Sequence, residues 1–197
     1  MRKAVFLDRD GTINAMVHRS SPGVGDSPWS PDEFELLPGV GEALRRVNTA
    51  GMLAVVASNQ PGIAKGQFTI EALEAITVRM HQELARYGAH VDAVLYCLHH
   101  PEAILEQYRV QCRCRKPKPG LLEEAARTFG VDLKASFMVG DSLRDVQAGS
   151  AAGCRTAWLG ERGSSSRLNE HEEGIRPDWV AASLSEAIDL IIGASEA

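Results

Sequence analysis

"AVFLDRDGT", Ala4 to Thr12, is a short apolar run that ends abruptly in two carboxylates one residue apart, Asp8 and Asp10, on a loop opened by Gly11. Ala4 to Leu7 has the length and composition of a buried strand. An Asp that ends such a strand can be no more than a cap or a turn former, so the pair gains meaning only from what closes the other strands. Reading outward, short β-branched runs alternate with amphipathic stretches, the pattern of a parallel sheet covered by helices on both faces. The pattern predicts a helix with Pro38 at its start and Gly51 past its end, a strand over Met52 to Ser58, and a helix from Thr69 to Tyr87 with Ile70, Leu73, Ile76, Met80 and Leu84 on its buried stripe. "VDAVLYC" is the third strand, "KPGLLEEAARTFG" a helix and "SFMVG" the fourth strand. A helix from Ser142 to Ala152 capped by Ser142, a strand in "CRTAWL" and a last helix over Ser183 to Ile192 follow. The fold class is α/β: a doubly wound, Rossmann-like parallel sheet.

Open sheets of this kind place ligands outside the carboxyl ends of their strands, and the polar residues collect there. "SNQPG" (Ser58 to Gly62) follows the second strand, Lys116 the third, and "GDSLRD", with Asp141 and Asp145, the fourth. Carboxylates from two strand ends suit a hard cation such as Mg²⁺, which takes a few carboxylates together with water and substrate oxygens. With a lysine and a hydroxyl added, the set fits phosphoryl transfer, where charge on the moving phosphoryl group needs cations and donors already in place. A carboxylate free to attack phosphorus splits one hard step into two through an aspartyl phosphate.

Composition narrows the function classes. The 197 residues, 44% hydrophobic, suffice for one core, so a single domain over residues 1–197 is expected, with loop insertions at about 14–37 and 98–114. The formal net charge of -5 argues against a general polyanion binder. The basic run in "CRCRKPKPG" (Cys112 to Gly120) is therefore local, and its partner should be small and anionic. No apolar stretch is long enough for a membrane span and the first residues soon turn polar, so neither a membrane anchor nor a secretory signal is expected, and the expected location is cytoplasmic. In that compartment the four cysteines are better read as thiols or metal ligands than as disulfides. Cys97, His99, Cys112 and Cys114 make up a Cys₃His set, although the C-x-H and C-x-C spacing is tighter than in zinc fingers and by itself leaves both readings open. Cys154, in the last strand of the pattern, reads as a small buried apolar residue. The segment from Gly160 to Gly174 reads as a mobile surface connection.

"FLDRDGT", "SNQPG", "RKPKPG" and "VGDSLRD", in this order, resemble the four motifs of the haloacid dehalogenase superfamily of phosphatases. The resemblance implies that Asp8 is the nucleophile and Asp10 the general acid and base, that Ser58 and Lys116 hold the phosphoryl oxygens, and that Asp8, the Asp10 carbonyl and Asp141 bind Mg²⁺. Asp145 would orient that shell or Lys116. "DRDGTIN", "NQPGIAKG", "YCLHHP" and "CRCRKPKPG" further resemble a capless branch that comprises D,D-heptose 1,7-bisphosphate phosphatases and the phosphatase domain of histidinol-phosphate phosphatases. That branch carries a structural zinc loop. It implies Cys97, His99, Cys112 and Cys114 as Zn²⁺ ligands, His100 as a bystander, and Arg115 as a substrate-recognition residue. Lys118 is expected to be solvated.

The implied reaction is removal of the 7-phosphate from D-glycero-D-manno-heptose 1,7-bisphosphate, in the synthesis of nucleotide-heptose precursors of lipopolysaccharide or S-layer glycan. Histidinol phosphate is the runner-up substrate, and a polynucleotide 3'-phosphate a distant third. With no cap, the site should be open and the substrate a small phosphorylated sugar chosen by loops, among them Asn59, Gln60, Pro61, Lys65 and the segment after Asn14. A monomer with no nucleic-acid partner is expected. The chain departs from the branch at "HRSSPGVGDSPWSPDEF" (His18 to Phe34), where some heptose phosphatases have a short His-x-Gly-Tyr loop, and at Ser142, where some have Lys.

Overall fold

The computed structural model describes residues 1–19, 25–160 and 176–196. In chain order its elements are strand β1 (Ala4–Leu7), the short strands β2 (Val17–His18) and β3 (Gly25–Asp26), helix α1 (Val40–Thr49), strand β4 (Leu53–Asn59), a one-turn helix α2 (Pro61–Ala64), and helix α3 (Ile70–Ala85). Strand β5 (Ala93–Cys97), helix α4 (Gly120–Phe129), strand β6 (Phe137–Gly140), helix α5 (Leu143–Ala152), strand β7 (Arg155–Leu159), strand β8 (Trp179–Ala181) and helix α6 (Leu184–Glu196) complete the order.

Six strands form one parallel sheet in the order β5-β4-β1-β6-β7-β8. The chain builds outward from β1 to β5, then crosses back to β6 on the other side of β1. That reversal opens a crevice at the carboxyl end of β1, where such sheets bind ligands. Every residue of β1 is 0% exposed because both of its faces are covered. Val5 and Leu7 pack with Leu44 of α1, Met80 of α3 and Ile188 of α6, whereas Ala4 and Phe6 pack with Leu121 and Leu122 of α4. Truncating Phe6 to Ala in such a place costs about 3–5 kcal/mol.

Helix termini follow the chemistry of their end residues. Thr69 caps α3, its hydroxyl accepting the Ala72 N–H at 3.2 Å. Ser142 caps α5 and accepts the Arg144 N–H at 3.2 Å, while the Asp145 carboxylate reaches back to the Ser142 N–H at 3.0 Å in a capping box. Ile70, expected on the buried stripe of α3, is 40% exposed as the first residue of that helix; Leu73, Ile76, Met80 and Leu84 are buried. Among the described residues, α2, β8 and an antiparallel β2–β3 hairpin inside the segment from Asn14 to Leu37 have no counterpart in the sequence pattern. The connection expected from Gly160 to Gly174 lies, apart from Gly160, outside the described residues. Among the described residues, no helix is long and apolar enough to cross a membrane.

Candidate active site

Four loops at the carboxyl ends of β1, β4, β5 and β6 enclose a cleft of about 350 Å³. The first loop begins while the chain is still in the sheet, for Asp8 donates its N–H to the Val139 carbonyl of β6 at 3.0 Å. The chain then coils tightly, with the amides of Thr12, Ile13 and Asn14 all converging on the Arg9 carbonyl. Gly11, at φ 83°, has a conformation that L side chains avoid, and a Cβ there would run into the Asp141 carboxylate. Its lack of a side chain lets the β1 and β6 loops touch.

The second loop, after β4, brings Ser58 to the cleft wall and uses Asn59 as a clamp. The Asn59 amide donates to the Lys116 carbonyl and accepts from the Lys116 N–H, each at 3.0 Å. This pair fixes the backbone of the third loop and aims the Lys116 side chain inward. Lys116 is 2% exposed, and its ammonium lies 3.0 Å from Asp8 Oδ1 and 2.5 Å from Asp145 Oδ1. One ammonium thus faces two carboxylates. Burial works against its charge, but Asp8 and then Asp145 outweigh it and raise the lysine above its ordinary range. Burial first, and the Asp8 charge second, push the Asp145 carboxyl up, with Lys116 opposing them. Asp141 reaches solvent at the cleft mouth, yet protein encloses it closely enough that burial, reinforced by Asp8, pushes its carboxyl up to about 6.

Among the described residues, two groups of side chains have the chemistry of metal ligands. One carboxylate oxygen from each of Asp8, Asp141 and Asp145 lies within 4.8 Å of the others, an all-oxygen set open to solvent that fits a hard cation. Asp10 adds no carboxylate to this cluster, because its oxygens are held by Arg9, Asn14 and Gln60. The second group is Cys97, His99, Cys112 and Cys114, whose donor atoms also lie within 4.8 Å of one another. Sγ of Cys97 is 3.6 Å from that of Cys112 and 3.3 Å from that of Cys114, while His99 Nδ1 is 3.8 Å from Cys97 Sγ and 3.4 Å from Cys114 Sγ. A tetrahedral ion with bonds of about 2.0–2.3 Å separates its donors by roughly 3.3–3.8 Å, so the set fits a closed four-ligand site. Burial pushes the Cys97 thiol far above its ordinary range, a cost that a bound cation would offset. His100 turns away from this group, its Nδ1 accepting the Glu102 N–H at 3.1 Å.

The remaining expected contacts divide. Asn59, Pro61, Lys65 and Arg115 line the cleft, with Arg115 donating to the His99 carbonyl at 3.2 Å. Gln60 is 0% exposed and faces inward, its amide donating to Asp10 Oδ2 at 2.7 Å and to the Ser58 hydroxyl at 3.2 Å. Lys118, expected to be solvated, is exposed but donates to the Cys112 carbonyl at 2.9 Å, a bond to the loop beside it. From the hairpin, Met16, Gly25, Asp26 and Ser27 reach the cleft; Trp29 packs instead against Ile63, Phe68 and Leu73. Sequence reading missed Arg144 on the cleft wall and Arg9 beneath it. Arg144 follows a helix cap, and an arginine between two aspartates reads as a solvated charge.

A turn bearing two aspartates after the central strand, a lysine from the third loop and a carboxylate after the fourth are arranged as in a haloacid dehalogenase-like hydrolase, and residues 113–187 match the HAD-hydrolase-like family profile. Over 186 residues, 93% of this chain and 90% of the relative, the sequence is 40% identical to the D-glycero-β-D-manno-heptose-1,7-bisphosphate 7-phosphatase of Escherichia coli K12. The crystal structure of D,D-heptose 1,7-bisphosphate phosphatase from B. bronchiseptica, complexed with magnesium and phosphate, superimposes with a TM-score of 0.78 at 36% identity, covering 98% of this chain and 99% of that one. A HAD-like phosphatase structure from Mesorhizobium loti gives a TM-score of 0.79 at 33% identity, covering 99% and 86%. The chain belongs to the haloacid dehalogenase-like phosphatases and, within them, to the family of these heptose bisphosphate phosphatases.

Proposed function

We propose that the chain is a Mg²⁺-dependent phosphomonoester hydrolase that removes the 7-phosphate of D-glycero-D-manno-heptose 1,7-bisphosphate, acting as a single capless, monomeric, cytoplasmic domain. The observation that carries the reading is the convergence of Asp8 and Lys116, 3.0 Å apart, on the wall of an open cleft. The substrate follows the named relatives, which share about two fifths of the residues along nearly the whole chain.

Asp8 attacks phosphorus as the bond to the sugar oxygen breaks, and the departing alkoxide takes a proton from Asp10. Asp10 then accepts a proton from water as that water attacks phosphorus, the bond to Asp8 breaks, and phosphate leaves with the Asp8 carboxylate restored. Ser58 and Lys116 hold phosphoryl oxygens throughout. Mg²⁺, held by Asp8, Asp141 and the Asp10 carbonyl, neutralises phosphoryl charge when bound. Asp145 positions Lys116 through their ion pair. Cys97, His99, Cys112 and Cys114 would hold Zn²⁺, and with four protein ligands that ion would be structural, fixing the loop from which Arg115 and Lys116 project. Arg115, Asn59, Pro61 and Lys65 face the sugar and its second phosphate. Gln60, turned inward, enters this reading through Asp10.

Phosphate release from the two anomers of heptose 1,7-bisphosphate, histidinol phosphate and a 3'-phosphorylated oligonucleotide, run side by side, tests the substrate. The expected result is the largest kcat/KM on a heptose bisphosphate. A larger value on histidinol phosphate or on the oligonucleotide would overturn the assignment.

A further inference from the structure

Arg9 is an arginine with no exposure at all, lying directly beneath the cleft between Asp8 and Asp10 in the sequence. A buried guanidinium is retained only when its charge and its N–H groups are met. Here they are met from several elements. Nε donates to Asp10 Oδ1 at 3.0 Å and Nη2 to Asp10 Oδ2 at 3.1 Å, a two-pronged grip on one carboxylate. Nη2 also donates to Gln60 Oε1 at 3.1 Å and Nη1 to the Tyr96 hydroxyl at 3.3 Å, with the guanidinium carbon 5.5 Å from the Tyr96 ring centre. Tyr96 is itself tied to Thr77 of α3, their hydroxyls 2.9 Å apart.

Four N–H groups therefore meet the carboxylate, and a proton can be exchanged at Asp10 only as one of these bonds opens. Asn14 donates to Asp10 Oδ1 at 3.0 Å and Gln60 to Oδ2 at 2.7 Å, so each oxygen receives one Arg9 N–H and one side-chain amide. Gln60 passes the connection on to the Ser58 hydroxyl. Asp10 and Ser58 line the cleft, whereas Arg9 and Gln60 do not. We propose that Arg9 is a positioning residue for the phosphatase reaction: braced by Tyr96, it sets the direction in which Asp10 exchanges protons with the leaving group and with water, and registers Asp10 to Ser58 through Gln60. The inference rests on the reading of Asp8 and Asp10 given under Proposed function.

Leaving-group chemistry separates this role from mere folding support. In a two-step hydrolysis kcat/KM covers the steps through departure of the leaving group, while kcat also includes hydrolysis of the aspartyl phosphate. A p-nitrophenolate departs without a proton; a sugar alkoxide needs one. In Arg9→Gln the account expects kcat/KM for heptose 1,7-bisphosphate to fall by about 10²-fold, the scale of one positioned proton transfer. For p-nitrophenyl phosphate, kcat/KM should stay within about threefold of wild type while kcat falls and a burst of p-nitrophenolate appears. Tyr96→Phe keeps the ring under the guanidinium and removes only the hydroxyl, with its bonds to Arg9 and Thr77, so it serves as the milder variant and should show the same split at roughly 3- to 10-fold. An equal loss of kcat/KM on both esters, or no loss on either, in whichever variant folds, would overturn the proposal. Wild-type protein inactive on both esters would instead sink the phosphatase reading beneath it.

Discussion

Lys116 is the residue on which most of the site's electrostatics turn. Two carboxylates, Asp8 and Asp145, face its single buried ammonium. Lys116→Met should therefore remove about 3–5 kcal/mol of stability, because it leaves buried charge without a counter-ion, and abolish turnover as well. Urea unfolding and a phosphate-release assay read the two effects. A second charged contact lies beside the cleft, where Arg19 grips Glu33 with bonds of 2.7 and 2.6 Å and stacks 3.7 Å from the Trp29 ring centre. The Arg19 bonds hold the Glu33 carboxyl down at about 2, against an ordinary value near 4.5. A depressed carboxyl contributes stability above its unfolded value and loses it as pH falls toward its folded value. The stability gap between wild type and Glu33→Gln should thus be constant from neutral pH to about 5 and close between about 4.5 and 2, on a scale of about 1 kcal/mol or less for so accessible a pair. Thermal melts across that range would show it, and a gap that widened on acidification would contradict the pairing. Asp8, Asp10, Ser58 and Asp141 were legible in the sequence because each lies at or just past a strand end, where periodicity stops, whereas Lys116, well beyond β5, was legible only through the motif "RKPKPG". Arg9 was not, since nothing local distinguishes an arginine buried by α3 and β5 from one in water.

Among the elements, the loop between β5 and α4 carries the clearest test. Its exposed Ile104 and Val110 show how little of it packs into a core of its own, and in the proposed reading a metal on the Cys₃His cluster would supply what apolar burial does not. Cys112→Ser should abolish zinc stoichiometry measured on purified protein, lower the melting temperature by several degrees, and reduce activity because the backbone carrying Arg115 and Lys116 loosens. Zinc-free wild-type protein with an unchanged melting temperature would defeat that account. The β1 loop offers another test. Gly11→Ala puts a side chain on a left-handed residue against Asp141, and should weaken Mg²⁺ binding at least tenfold by calorimetry, about 1.4 kcal/mol. Elements with a full period were readable from sequence: α3, α4 and α5 fall within two residues of the predicted spans. The β2–β3 hairpin and β8, with two or three residues per strand, are too short to show a period; the sheet supplies their order.

Over the whole molecule, the order β5-β4-β1-β6-β7-β8 explains why residues as distant in sequence as Asp8 and Asp145 share one cleft. Sequence reading reached the parallel sheet and the strand ends that bear the chemistry, because alternating β and α periods leave few topologies. It did not reach the network that joins α3, β5 and the β1 loop beneath the site, since that network is made of tertiary contacts alone. The cleft's open mouth and the local clustering of Arg115, Lys65 and Arg144 around it fit a small anionic substrate better than an extended polymer. All of this depends on Asp8 forming a covalent bond to phosphorus. Acid-quenched protein taken during turnover, digested and mapped for phosphate, tests that directly. The account predicts label on the peptide bearing Asp8, and no label and no turnover in a folded, zinc-replete Asp8→Asn variant; label on another residue, or wild-type turnover in Asp8→Asn, would contradict it.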